Sequence, residues 1–479
     1  MCGVFGIRAP GRDVARLTYF GLCAVQHRGQ EAAGIAVSDR GRVTGLRDLG
    51  LVTQVFNEGK LSGLAGQLAI GHTRYSTTGS NAWANAQPLV HHGSARTVAL
   101  GHNGNLINAD ALREELRPRL ASTSDSEVIA AMISCDPRPL PEAIAEAVAR
   151  IEGAATVVGL AEGKLFAFRD ARGFRPLVLG RLGEDPVVAS ETCALDLVGA
   201  EFERDVAPGE LLIADEHGTH SIEVFATHVP RALCLLEFFY LARPDTRLEG
   251  VEVHSARLAM GERLAAEAPA CADLVLPIPD SGTPAAIGFS RASGIPFSEG
   301  LIKNRYVHRT FIQPEQGMRE QGIRAKFNPL AEVAGKRLVI VDDSIVRGST
   351  TRQIVAMLFD AGAREVHVRV SSPPVISPCY YGIDLASPDE MIAAGNSVEG
   401  VRAAIGATSL AYLSLAGLEA ATRQPAATLC HACLTGEYPT RVPSGTGKLR
   451  FEPAADSGEG PARSGPPTGL PGTPVLARP

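Results

Sequence analysis

Over residues 1 to about 230 the apolar positions fall in short runs cut by Gly-rich turns, a pattern that predicts strands. Two stretches depart from it with helical spacing: ADALREELRPRL at 109–120, and SDSEVIAAMIS through PEAIAEAVARI at 124–151. The strand signal is clearest between Ala155 and Asp170, where two apolar runs flank Glu162-Gly163 as in a hairpin. Sheets packed with helices in an α+β layer arrangement are therefore expected in this half. From about residue 250 the pattern changes. Strongly apolar segments, ADLVLPIPD (272–280), KRLVIVDD (336–343) and REVHVRVSS (364–372), alternate with helical ones, which predicts an α/β half with a parallel sheet. The spacing places a helix from about Thr350 to Ala361, with Ile354, Met357, Leu358 and Ala361 on one face. Past Pro443 the chain turns to Gly, Pro, Ser and small residues, too poor in large apolar side chains to offset the entropy of ordering, so a disordered tail is expected at 443–479.

Length and charge narrow this picture. A chain of 479 residues is too long for one ordinary core, so two domains and a tail are expected. With 45% hydrophobic and 20% charged residues the composition is that of a globular protein. A net charge of -6 leaves no broad basic face for nucleic acid, so an anionic ligand must be met by a local site. The opening MCGVFGIRAP lacks the layout of a secretory signal, and no apolar run is long enough to span a bilayer, which points to a cytoplasmic protein without membrane partners. Nine cysteines, an odd number, argue against a disulfide framework and require each to be judged alone.

The first candidate chemistry is Cys2, which removal of Met1 by ordinary aminopeptidase trimming would leave with a thiol and a free α-amine on one residue. Such an amine, with a reference pKa of about 7.7 to 8.0, is a built-in general base. Four polar, Gly-punctuated segments lie downstream: QHRGQEAAG (26–34), GHTRYSTTG (71–79), GHNGNL (101–106) and TSDSE (123–127). Amide hydrolysis needs oxyanion donors, which Asn103 and the N–H of Gly104 would supply. Glutamine would be held at its α-carboxylate by Arg74 and at its α-ammonium by Asp125. In this order these segments closely resemble the class II glutamine amidotransferases, which are N-terminal nucleophile hydrolases. The resemblance implies a four-layer αββα fold for residues 1–235, Cys2 as nucleophile, Asn103 and Gly104 as oxyanion hole, and Arg74 and Asp125 as glutamine anchors. Arg28 falls in the segment beside the cysteine, as a glutamine-binding residue or as a structural donor. His27, His72 and His102 flank Gly-rich turns without the spacing of metal ligands and are expected to be structural.

The second chemistry lies in VIVDDSIVRGSTT (339–351), two carboxylates at a strand end followed by a Ser/Thr/Gly loop and a helix. Backbone N–H groups of Arg347, Gly348, Ser349, Thr350 and Thr351 with the helix N-terminus would surround a 5'-phosphate. Asp342 and Asp343 would accept from ribose hydroxyls or help hold Mg2+. The segment strongly resembles the phosphoribosyl pyrophosphate motif of type I phosphoribosyltransferases, whose motif loop here includes Ser344. By the same resemblance PIPDSG (277–282) is the pyrophosphate loop, with Asp280 on the substrate and Ser281 joining Asp342 and Asp343 around Mg2+. KNRYVHRTF (303–311) resembles the loop that closes over the substrate, where Lys303, Arg305 and Arg309 would neutralise pyrophosphate.

The two halves, 1–235 and 236–442, together resemble one family, the amidophosphoribosyltransferases. That resemblance implies a reaction: ammonia released from glutamine displaces pyrophosphate from phosphoribosyl pyrophosphate to give phosphoribosylamine, the first step of purine synthesis. Purine nucleotide feedback inhibition and a homotetramer are implied likewise. Cys234, Cys379 and the C-x2-C pair Cys430 and Cys433 remain; alone the pair would also suit tetrahedral zinc. One branch of the family carries a [4Fe-4S] cluster on cysteines in matching contexts, which favours the cluster. Cys23, Cys135, Cys193 and Cys271 are expected to be buried small residues. Some cluster-bearing relatives have a propeptide ahead of the nucleophile, whereas here maturation would need only Met1 removal. A sugar isomerase fusion and a nucleotide-sensing regulator are the rival readings; the first lacks VIVDDSIVRGSTT, and the second would have no use for a trimmed cysteine.

Overall fold

A computed structural model describes residues 1–116, 120–225, 229–304, 326–385, 390–442 and 451–452. Seven antiparallel strands of the first half form one sheet, in spatial order Glu201–Asp205, Val178–Leu182, Asp185–Ala189, Gly3–Arg8, Leu68–Arg74, Ala32–Asp39 and Arg42–Leu49. Six more form a second, ordered Gly218–Glu223, Glu210–Asp215, Lys164–Arg169, Gly153–Ala161, Thr97–Leu106 and Leu89–His92.

The alternation of side chains along each strand explains the layering. Val4 and Ile70 from one sheet meet Leu165, Ala167 and Leu212 from the other in the inter-sheet core. Their neighbours Phe5 and Ile7 point the other way, onto the helices Val14–Ala24 and Thr192–Val198. Phe166 and Phe168 likewise face the helices Ser126–Cys135 and Leu140–Arg150. Because the middle of each sheet is covered on both faces, its central strands are buried at nearly every position, and each large apolar side chain so buried contributes about 1.5–3 kcal/mol. The result is the four-layer αββα arrangement. The hairpin at Glu162-Gly163 is present, with both loop residues at positive φ (51° and 72°), the geometry that lets a two-residue turn follow the strand twist.

Four helices depart from the reading by periodicity, the short Val52–Val55 and Glu58–Ser62 and two longer ones. Val14–Ala24 and Thr192–Val198 lie in a region expected to be strands and turns. VARLTYFGLCA carries apolar side chains almost all round, with β-branched and aromatic residues and a central glycine, so no clean stripe marks it. Gly21 is there because the helix rides directly on Phe5: a Cβ at this position would stand 2.3 Å from Phe5 Cδ2.

In the second half four parallel strands lie in the order Leu274–Pro277, Arg337–Asp342, Glu365–Val370 and Ser409–Tyr412. The first three are those expected; the fourth is short and half-buried and carries no strong apolar run. The helix Ser349–Asp360 buries Ile354 and Leu358 as its spacing requires. At the junction Leu233–Cys234 pairs in parallel with Leu429–Cys430, so the C-terminal segment returns to the place where the halves meet. Most of 443–479 lies outside the described residues, but Phe451 and Glu452 do not behave as a free tail. Phe451 stacks under the Arg113 guanidinium, 4.7 Å away, and Glu452 accepts from Thr123 Oγ1 and Ser80 N, each at 2.6 Å.

Gly21→Ala should lower stability by about 1–3 kcal/mol through overpacking against Phe5, read as a drop in the urea midpoint. An unchanged midpoint would mean that the helix can withdraw from the sheet without loss.

Candidate active site

Cys2 precedes the central strand of the first sheet and faces the strand Thr97–Leu106 of the second. Its backbone N donates to Asn103 Oδ1 (3.2 Å) and its Sγ to the carbonyl of Tyr75 (3.5 Å). Asn103 and Arg74 are 0% and 2% exposed, yet Asn103 Nδ2 and Arg74 Nη1 have no hydrogen-bond partner among the described residues. Buried donors are almost always satisfied, so two open ones beside a thiol form a cradle for an acceptor-rich ligand. Arg74 Nη2 reaches only Thr78 O, at 3.4 Å, and Glu31 Oε2 is 3.7 Å from Nη1. Burial lowers the Arg74 pKa, while the charges of Cys2, Glu31 and Asp125 oppose that shift. Asp125 accepts from Leu106 N (2.9 Å), which fixes one carboxylate oxygen. At Gly104 a Cβ would collide with Ala154 O at 2.0 Å, so the strand approaches too closely for any side chain. His72, buried and pushed down to about 3 chiefly by that burial, stays neutral and hydrogen-bonds His102 O.

Arg28, unlike Arg74, spends its donors on the protein itself. It is 1% exposed, and its donors are engaged: Nε with Cys2 O (3.0 Å), Nη2 with Glu237 Oε1 (2.8 Å), and Nη1 with both Glu191 Oε1 and Glu237 Oε2. Of the two readings left open for it, the structural donor is the one the geometry supports. Glu191 also takes Thr246 Oγ1 (2.7 Å), Arg243 N (2.9 Å) and His27 Nε2 (2.7 Å). Glu191, Glu237 and Arg175 were missed by sequence reasoning. Glu237 did leave a signal, as the single charge inside LCLLEFFYL; Glu191 and Arg175 left none.

The second site is acidic. Asp342 and Asp343 are both buried at the end of their strand. Asp343 accepts from Ser344 Oγ (2.5 Å) and from Ser281 Oγ, so Ser281, Asp342 and Asp343 come together as the motif implied. Burial raises both carboxyls, for Asp342 well above the usual range with the charge of Asp343 adding to it. A cluster of oxygen donors that suffers from its own charge fits a hard divalent cation such as Mg2+. Gly348, at φ 73°, turns the chain into the helix Ser349–Asp360, leaving Ser349 and Thr350 exposed at its first turn. Arg347 pairs with Glu390 and Lys303 with Asp280 at the rim. Arg305 and Arg309 lie outside the described residues.

Cys234, Cys379, Cys430 and Cys433 line one small cavity with Phe174, Arg175 and Tyr381. Among the described residues no three His, Cys, Asp or Glu side chains are close enough to hold a single metal ion. Four thiols around one cavity form a donor set that suits either a tetrahedral zinc or a polynuclear iron–sulfur centre. Of the four cysteines expected to be buried small residues, only Cys193 is buried; Cys23 and Cys135 are half-buried and Cys271 is exposed, where its sulfur takes Arg337 Nη1 at 3.0 Å.

With this geometry in place, the likeness to known proteins is decisive. A glutamine amidotransferase domain family matches residues 72–197. An amidophosphoribosyltransferase of Mycobacterium tuberculosis is 52% identical over 462 residues, 93% of this chain and 87% of the relative. That of Bacillus subtilis is 46% identical over 92% of this chain and 94% of its own. The chain belongs to the amidophosphoribosyltransferase family. A solved glutamine phosphoribosylpyrophosphate amidotransferase from B. subtilis, complexed with ADP and GMP, superposes with a TM-score of 0.88 at 44% identity, over 94% of this chain and 100% of that one. A second solved structure, an allosteric regulatory enzyme of purine biosynthesis, gives a TM-score of 0.89 at 44% identity over 95% of this chain and 99% of that one. The family's fold, an N-terminal nucleophile amidotransferase half joined to a phosphoribosyltransferase half, is thus the fold of this chain.

The raised carboxyls carry a stability consequence. A folded pKa above the ordinary aspartate value of about 3.9 means the charged pair weakens the fold, fully above the raised value and not at all once both are protonated. Asp342→Asn should therefore raise the melting temperature at pH 7.5 without divalent cation, with the gain shrinking toward pH 4, while phosphoribosyl transfer is lost. Melting curves at several pH values check this; a destabilised variant at pH 7.5 would refute the charge argument.

Proposed function

We propose that this chain hydrolyses glutamine at Cys2 and joins the ammonia to the ribose of phosphoribosyl pyrophosphate, giving phosphoribosylamine, glutamate and pyrophosphate. The observation that carries the reading is the pair of unpartnered buried donors, Asn103 Nδ2 and Arg74 Nη1, beside the Cys2 thiol, in a chain whose other half gathers Ser281, Asp342 and Asp343 at a strand end.

Removal of Met1 turns the Cys2 nitrogen, held by Asn103 Oδ1, into an amine. That amine, whose ordinary pKa is about 7.7 to 8.0, would take the thiol proton. Sγ then bonds to the δ-carbon of glutamine while the carbonyl electron pair moves onto oxygen, where Asn103 Nδ2 and the Gly104 N–H receive it. Collapse of that adduct expels ammonia, which carries the amine's proton, and water hydrolyses the thioester to glutamate. Arg74 binds the α-carboxylate and Asp125 the α-ammonium.

In the second half the ammonia lone pair bonds to C1 of the ribose as the bond to pyrophosphate oxygen breaks. Backbone N–H groups from Arg347 to Thr350 hold the 5'-phosphate, and Asp342 and Asp343 orient the ribose hydroxyls. Asp280, Lys303, Arg305 and Arg309 meet the pyrophosphate side. Mg2+ held by Ser281, Asp342 and Asp343 would screen pyrophosphate charge. Ammonium is no nucleophile, so a water-poor route between the halves is part of the proposal. A [4Fe-4S] cluster on Cys234, Cys379, Cys430 and Cys433 would serve structure or oxygen sensing, since neither reaction moves electrons. Purine nucleotide inhibition, in line with the ADP and GMP of the B. subtilis structure, a homotetramer and a cytoplasmic location complete the reading. Among the described residues no helix is long and apolar enough to cross a membrane.

Cys2→Ala should abolish glutamine-dependent pyrophosphate release, at least about a hundredfold, and leave synthesis from ammonium salts at high pH intact. Loss of both activities in a folded variant would end the assignment of roles. For the cysteine cavity, anaerobically purified protein should contain iron and sulfide with visible absorbance; zinc without iron would reverse that choice.

A further inference from the structure

Glu237 belongs to the segment that follows Cys234 and begins the second half, yet its carboxylate is spent inside the first. Both oxygens take Arg28, Oε1 from Nη2 at 2.8 Å and Oε2 from Nη1 at 3.1 Å, and Oε1 also takes Arg175 Nη1 at 3.4 Å. Arg28, Arg175, Glu191 and Glu237 have no exposed side-chain surface, and two cations balance two anions. Water cannot replace a missing partner in such a cluster, so the position of each group follows from the others. What the cluster presents to the first site is the Nε of Arg28, 3.0 Å from the carbonyl oxygen of Cys2.

We propose that Glu237 is a positioning residue of the glutamine site: from the second half it fixes Arg28, and through Arg28 it holds the Cys2 carbonyl and so the aim of the thiol. This rests on the reading of Cys2 as nucleophile. A second contact supports the direction of the influence. Asn105 Nδ2, two residues past Asn103, donates to Tyr380 O (2.8 Å), and a Cβ on Gly382 would meet Gly104 C at 2.9 Å. Arg175 ties the two together, since its Nε donates to Tyr381 O at 3.1 Å. The second half thus braces both the nucleophile and the strand that carries the oxyanion donors. The glutaminase site is incomplete without it.

The test is the split between nitrogen sources in the full-length enzyme. Glu237→Gln keeps the shape but leaves Arg28 with one carboxylate; it should lower kcat with glutamine about ten- to hundredfold, the penalty for slight misplacement of a reacting group, with KM for glutamine little changed and ammonia-dependent synthesis retained. Glu237→Asp should recover part of the loss. Should Glu237→Gln fold poorly, the double variant Arg28→Met with Glu237→Met removes one cation and one anion together and keeps the cluster neutral; in the protein that folds it should show the same selective loss of glutamine use. Glutamine kcat at wild-type level in either folded variant, or glutamine and ammonia activities falling together, would overturn the proposal. Cys2→Ala separates the two ideas: if glutamine use survives that change, the nucleophile is wrong, whereas if only the Glu237 variants are silent, the nucleophile stands and the positioning role falls.

Discussion

The structure turns on a cluster of charges without water. Placing two guanidinium and two carboxylate groups where none has exposed side-chain surface carries a desolvation penalty of several kcal/mol per ion. It is sustained only because each group is hydrogen-bonded more than once, and that condition makes the cluster intolerant of displacement. Its members come from far apart: Arg28 follows the first helix, Arg175 precedes the strand Val178–Leu182, Glu191 follows Asp185–Ala189, and Glu237 opens the second half. Glu191 extends the network to Thr246 and Arg243, so the junction of the halves is tied by polar bonds as well as by apolar packing. The two halves therefore hold one relative geometry, a condition for passing a small reactive molecule from one to the other.

The two reacting sites share an opposite logic. The first leaves donors open in a buried pocket, and the second crowds acceptors at a strand end until burial and mutual charge push their pKa values up. Each is half of a complementary set whose other half arrives with a substrate. Neither arrangement favours the empty fold; both are local sacrifices of stability at a functional site, sustained by well-packed layers around them.

How much of this was legible in the sequence depended on whether the information was local. The hairpin at Glu162-Gly163, the strand ending in Asp342-Asp343 and the helix Ser349–Asp360 rest on short-range pattern and turn chemistry, which a sequence displays directly. Cys2, Arg74, Asn103, Gly104 and Asp125 were singled out together because their segments carry unusual polar and Gly-rich runs and resemble those of one family. The helix Val14–Ala24 was hidden because its less buried face also carries apolar side chains, Leu17, Tyr19, Phe20 and Cys23, which blurs the 3.6-residue stripe. Arg28 was ambiguous for a different reason. Its role is decided by Glu191 and Glu237, 163 and 209 residues away, and no local pattern reports a partner at that distance.

With Met1 removed as proposed, Cys2 would need such distant support. A nucleophile on the second residue, once the first is gone, has no preceding peptide to hold it, and ordering one residue's backbone costs about 1–2 kcal/mol. Regular pairing begins only at Gly3, opposite Thr73. Cys2 is instead held through its three polar atoms: the nitrogen by Asn103 Oδ1, the sulfur by Tyr75 O, and the carbonyl by Arg28 Nε. In the proposed mechanism the first two contacts must loosen during reaction, since there the nitrogen exchanges protons and the sulfur forms a bond. The carbonyl takes no part in the chemistry. It is the one handle by which the residue can be held throughout turnover, and it is the handle to which the buried charge cluster is attached.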